Sequence, residues 1–183
     1  MNAGIEPLVQ VSNVDEDALS AEHPDLTPTE LCLLLAQAKA RDVTAQYPDD
    51  IVIGCDSVFE FDGVAHGKPG TAEAAKQRWE RMAGNTGQLH TGHCVILGGR
   101  ELSEVATSTV THAVMTDAEI DAYIATGEPL RVAGGFTLEG LGGPFIERID
   151  GDPSNVIGLS LPLLRRMLAS VGVRWTDLWV NQQ

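Results

Sequence analysis

The chain alternates between helix-forming and strand-forming segments along its length, which restricts it to folds that layer helices on a sheet. Thr27-Pro28-Thr29-Glu30 marks a helix start: Thr27 caps it, Pro28 occupies the first turn, and Glu30 closes a capping box. Leu31, Leu34, Leu35 and Ala38 then recur at helical spacing and predict a helix to about Ala45. Ile51-Val52-Ile53-Gly54-Cys55 is a short apolar run after Pro48-Asp49-Asp50. It predicts a buried strand with Asp56 at its C-terminal end. A second helix is expected from Thr71 toward Met82, stopped by Gly84. Strands follow over about 89–97 and 105–115, joined by a hairpin at Gly98-Gly99-Arg100-Glu101. Thr116-Asp117-Ala118-Glu119 opens another capped helix that ends near Gly127. Short strands are expected at about 136–138 and 145–149, and a last amphipathic helix at about 163–171, led by Pro162. This order predicts a mixed α/β sheet with some antiparallel pairing, within one domain spanning residues 1–183.

Composition narrows the class of function. Hydrophobic residues make up 43% of the 183, enough for a substantial core. No stretch approaches the ~20 apolar residues that cross a bilayer. The first residues show neither a basic flank nor an apolar signal core, so a cytoplasmic protein is expected. Cys32, Cys55 and Cys94 are an odd count without CxxC spacing and read as reduced thiols. A net charge of −14 argues against a broad basic face for nucleic acid or anionic membranes. It leaves room for an anionic small molecule whose charge is cancelled locally by a few lysines and a cation.

Several short segments could carry chemistry, and each also has a structural explanation. Asp56, within Ile53-Gly54-Cys55-Asp56-Ser57, could bind a metal or take a proton from water, or simply cap a turn. Lys68, in Gly67-Lys68-Pro69, suits a phosphate oxygen or solvent; the segment is no P-loop, because GxxxxGK[ST] is missing. Val14-Asp15-Glu16-Asp17, after an extended segment, could offer a carboxylate to a hard cation or form a solvated loop. Lys39 follows Leu35 by four residues, so its stem can lie along the core while its head reaches a cleft or water. His90 and His93 are three apart on a predicted strand and point to opposite faces, which disfavours a two-histidine metal site. Cys55 beside Asp56 has no partner base and reads as a core thiol.

Taken in order, these pieces resemble the Maf (septum formation inhibitor) family of nucleotide pyrophosphatases. The resemblance runs from about Ile5 to Trp175. It rests on Val14-Asp15-Glu16, Leu35-Ala36-Gln37-Ala38-Lys39-Ala40, Ile53-Gly54-Cys55-Asp56-Ser57, Gly67-Lys68-Pro69, Thr126-Gly127-Glu128-Pro129, Ala133-Gly134-Gly135-Phe136 and Gly151-Asp152-Pro153-Ser154-Asn155-Val156-Ile157-Gly158-Leu159. It implies an elongated α/β fold with two lobes around a cleft, and a homodimer as an expected assembly. It implies that Asp56 is the proton acceptor, with Lys39 and Lys68 as cleft lysines. Glu16 is implied as an acidic partner for a divalent metal, Mg²⁺ or Mn²⁺, which Asp56 would share. Ser57 and Glu139 fall where members differ in base preference. The pyrimidine-preferring branch usually has Thr and Gln there, so this chain departs from that branch. A second departure is at the start: the family's Ser-x-Ser-x-x-Arg loop and the strand before it have no counterpart here, so the chain is short relative to the family.

The activity so implied is hydrolysis of nucleoside triphosphates, of standard or modified base, to monophosphate and pyrophosphate. The missing phosphate loop keeps a rival open: a non-catalytic nucleotide-binding regulator, for example of cell division. A haloacid dehalogenase-type phosphohydrolase would need DxDx[TV], which Asp56-Ser57-Val58 does not supply.

Overall fold

The computed structural model describes residues 3–180. Five strands form one sheet in the order β2-β1-β3-β4-β5: β1 (Val52–Phe61), β2 (Val64–His66), β3 (Thr86–Leu97), β4 (Arg100–His112) and β5 (Ile146–Asp150). Every pairing is antiparallel, so the mixed sheet expected from element order becomes an antiparallel one. The reason is connectivity. Tight turns join β1 to β2 and β3 to β4, and a tight turn reverses the chain. Glycines at 98 and 99, with φ of 56° and 76°, make the β3–β4 turn where the sequence placed it.

The helices are α1 (Glu16–Glu22), α2 (Pro28–Thr44), α3 (Ala72–Met82), α4 (Asp117–Ala125), α5 (Pro153–Ile157) and α6 (Leu161–Ser170). The capping boxes are present at α2 and α4: Thr27 and Thr116 accept from the third backbone N–H, while Glu30 and Glu119 reach back. Strand periodicity distributes the core. Cys94 and Ile96 of β3 pack with Ala36 and Ala40 of α2, whereas Val95 between them packs with Leu163, Leu164 and Met167 of α6. A third cluster joins Phe59 and Leu89 to Trp79 of α3 and Ile120 of α4. With helices on both faces, β3 is buried along nearly all its length, and its buried polar side chains Thr91 and His93 are hydrogen-bonded. Among the described residues, no helix is long and apolar enough to cross a membrane.

Four local expectations are corrected. β1 continues to Phe61, so Asp56 lies in mid-strand and not at the strand's end. Asp56 and Glu60 break the apolar pattern because they face partners, Lys39 and His90 respectively. The acidic segment at 14–17 starts a helix and is not a solvated loop: Asp15 caps α1, accepting from Ala18 N at 2.9 Å. β4 begins at Arg100, earlier than expected. Residues 136–138 form no strand, because Gly134 and Gly135 turn the chain at φ of 73° and 80° and Phe136 is drawn into the core against Phe59.

Candidate active site

The site is set by how closely α2 lies on the sheet. Gly54 pairs with Cys94, and Asp56 pairs with Gly92, all on the face beneath α2. A Cβ on Gly54 would stand 2.4 Å from the Ala36 carbonyl oxygen, and one on Gly92 2.3 Å from that of Cys32. Only glycine admits the helix at this depth. Lys39, just before the buried Ala40, then reaches the sheet. Its Nζ stands 2.7 Å from Asp56 Oδ1 and 2.8 Å from Glu16 Oε1. One ammonium therefore holds a strand carboxylate and a helix carboxylate within two hydrogen-bond lengths of each other.

Burial shapes the protonation of this group. Burial pushes the Asp56 carboxyl above its ordinary value, opposed by the hydrogen bond and charge of Lys39, while the Glu16 charge pushes it further up. For Lys39, burial works against the charged form. The hydrogen bonds and charges of Asp56 and Glu16 outweigh it, and the ammonium is held above its ordinary value. The neighbouring Cys55 thiol is pushed up to about 12 by burial and by the Asp56 charge, which leaves it protonated and inert.

A cavity of about 920 Å³ opens beside the bridge. Glu16, Lys39, Asp56, Ser57, Lys68 and Glu139 all border it, so the residues singled out from sequence meet at one space. Ser57 and Asp56 are strand neighbours on opposite faces. The cavity reaches both because β2 covers only Phe59 to Phe61 of the β1 edge. Ser57 Oγ is 2.8 Å from Thr91 Oγ1, which also donates to the Asn155 carbonyl. Lys68 sits on a loop held by Arg78 Nη1, which donates to the Gly67 carbonyl at 2.6 Å. Its positive charge favours ionised Asp56. Glu139 also borders the cavity and is exposed.

Sequence reading missed Glu128, which holds the loop that carries Glu139, and Arg131 on the cavity border. Glu128 is the hub of the loop that follows it. Oε1 accepts from Thr137 Oγ1, Tyr123 OH and Gly142 N at 2.5, 3.0 and 3.0 Å, and Oε2 accepts from Leu141 N at 3.0 Å. Its pKa lies below the ordinary value: burial raises it, but these donors outweigh that effect. Arg131 also borders the cavity. Glu128 stood within a recurring segment without an assigned role, and a lone arginine after Pro129-Leu130 carries no signal of its own. His90 and His93 are committed to Glu60 and to Ser160 N respectively. Among the described residues, no group of three or more His, Cys, Asp or Glu side chains gathers as a metal cage.

The chain's similarities fall on this same framework. The family model described as Maf-like protein matches residues 1–171. A nucleoside triphosphate pyrophosphatase of Saccharopolyspora erythraea is 54% identical over 97% of this chain and 89% of its own length. Proteins of the same name from Salinispora tropica and Streptomyces coelicolor are also 54% identical over 97% of this chain, covering 80% and 86% of their own lengths. With a match of this extent along the residues that build the Lys39–Asp56 bridge, the chain belongs to the Maf-like protein family.

Proposed function

We propose that this chain is a nucleoside triphosphate pyrophosphatase, cleaving the bond between the α- and β-phosphates to release a nucleoside monophosphate and pyrophosphate. The observation that carries this reading is the Glu16–Lys39–Asp56 bridge on the wall of a cavity large enough for a nucleotide, in a chain whose relatives bear that name.

Asp56 is the proton acceptor. Its Oδ1 is committed to Lys39, which leaves Oδ2 with two lone pairs, one free to take a proton from the attacking water and one for a cation. A free aspartate titrates near ~3.9 and is a weak base; burial raises Asp56 and makes it a better one, while Lys39 favours its ionised form. The water oxygen forms a bond to the α-phosphorus as the bridging P–O bond breaks, and pyrophosphate departs with that electron pair. Lys68 faces the charge that grows on the departing group.

The carboxylates also suit a hard cation. Asp56 and Glu16 each spend one oxygen on Lys39, and the second oxygen of each carries no hydrogen bond among the described residues. Mg²⁺ needs only one or two protein carboxylates when phosphates and waters complete its shell. When bound, Mg²⁺ or Mn²⁺ supplies charge neutralisation at the phosphates and acidifies water, and Glu16 and Asp56 are the residues that would hold it.

The test is pyrophosphate release from a panel of nucleoside triphosphates, standard and modified. Wild-type protein should release pyrophosphate from at least one of them. Asp56→Asn should lose turnover by at least ~10³-fold with its thermal midpoint retained. Chelation should abolish release, and added Mg²⁺ or Mn²⁺ should restore it. Nucleotide binding without turnover in the wild type, or full turnover by a folded Asp56→Asn protein, would overturn the reading.

A further inference from the structure

The bridge at Asp56 leaves a question of charge. A triphosphate brings several negative charges into a cavity that Glu16, Asp17, Asp56 and Glu139 also border. Lys39 cannot answer this alone, because its ammonium is already engaged by two carboxylates. Five other cations are spent in the same manner: Arg41 on Glu101, Lys76 on Asp121, Arg81 on Asp62, Arg148 on Asp150 and Arg174 on Asp177. The two other cations on the cavity wall are Lys68 and Arg131, and among the described residues neither makes an ion pair or a side-chain hydrogen bond.

Backbone contacts bring the loops that carry these two together. Arg131 closes the 3₁₀ turn Glu128–Arg131. The residue before it, Leu130, accepts through its carbonyl a hydrogen bond of 3.2 Å from Gly70 N, two positions after Lys68. Gly70 has φ 75°, a conformation that glycine adopts freely. A Cβ on Gly135 would stand 3.1 Å from Pro69, so the two loops also pack together. The loop of Lys68 and the turn of Arg131 are thus tied into one unit, with two uncommitted cations facing one cavity.

We propose that Arg131 is a substrate-binding residue that, with Lys68, grips the non-scissile phosphates, the part of the substrate that leaves as pyrophosphate. A guanidinium offers paired N–H donors that match two phosphate oxygens, which an ammonium cannot do. The inference rests on the pyrophosphatase reading for its substrate, but its central claim is affinity for a bare polyphosphate.

The test compares wild type, Arg131→Gln and Arg131→Lys by calorimetric titration with inorganic pyrophosphate and, separately, with nucleoside monophosphates, Mg²⁺ being present. Arg131→Gln should weaken pyrophosphate binding about tenfold or more. Arg131→Lys should fall between the two, and monophosphate affinity should stay within about twofold of wild type. Inhibition of turnover by pyrophosphate should weaken in parallel. A role confined to loop structure would move both ligands together and lower the thermal midpoint. Unchanged pyrophosphate affinity in Arg131→Gln, no pyrophosphate binding by wild type, or a loss confined to monophosphate would each overturn the proposal. If wild type binds pyrophosphate through Arg131 yet releases none from any triphosphate, the enzymatic reading fails while the anion site stands.

Discussion

His112 gives the most quantitative prediction available from the packing. It ends β4, is 1% exposed, and is surrounded edge-on by Phe59, Trp79 and Phe136 at ring distances of 5.6, 5.5 and 5.0 Å. Nδ1 lies 3.2 Å from the Asn85 carbonyl, which can only accept, so Nδ1 carries the hydrogen. Nε2 is buried without a partner among the described residues. A proton added there would create a charge in a nonpolar cage, and burial accordingly lowers the pKa from 6.5 to about 4. The folded value lies below the unfolded one, so the unfolded chain takes up the proton first. The stabilisation is complete above pH 6.5 and is lost as pH falls from 6.5 toward 4. At ~1.36 kcal/mol per pH unit, the loss amounts to ~2 kcal/mol at pH 5 and ~3 kcal/mol at pH 4. Domains have total stabilities of about 5–15 kcal/mol, so a loss of this size is measurable. His112→Phe removes the titration. It should cost ~1–2 kcal/mol at pH 7.5, because the Asn85 carbonyl loses its donor and a larger ring enters a packed site. Urea denaturation of both proteins from pH 7.5 to pH 5 should show the stability difference shifting by ~2 kcal/mol in favour of His112→Phe, which removes or reverses the gap. His66 and His93, also held low by burial, titrate in both proteins and cancel in the difference. A gap that stays constant across that range would refute the argument.

Two further outcomes follow from the site. Lys39→Met removes the hydrogen bond and charge that most lower the Asp56 pKa and leaves burial and Glu16, which raise it, against Lys68 alone. The acid limb of kcat/KM against pH should therefore move up by ~1–3 pH units, on top of a lower maximum; an unmoved limb would separate Asp56 from the reaction. Gly92→Ala drives a Cβ into the Cys32 backbone, which cannot turn aside as a side chain could. It should cost ~1–3 kcal/mol in urea denaturation and, by lifting α2 off the sheet, cut pyrophosphate release more than tenfold; full stability with full activity would contradict the tight seating of α2.

The sequence by itself determined the features that depend on neighbours along the chain. The capping boxes at Thr27 and Thr116 are closed by Glu30 and Glu119 three residues away, and the Gly98-Gly99 turn needs only a left-handed pair, so both were legible from spacing. Ordered motifs also pointed to Asp56, Lys39, Lys68 and Glu16 as members of one site. Only the tertiary structure decided how those residues meet. The course of β1 past Asp56 was hidden because a carboxylate in mid-strand reads as a break until Lys39 is known to face it. That meeting in turn requires α2 to rest on Gly54 and Gly92, residues from two strands that no local pattern links to the helix. The approach of the Lys68 loop to the Arg131 turn runs through a backbone hydrogen bond between Gly70 and Leu130, sixty positions apart, and the packing of Pro69 on Gly135. Short-range hydrogen bonds leave a signature in residue spacing. Contacts across large sequence separations are chosen by packing, and a single sequence carries no record of which of them form.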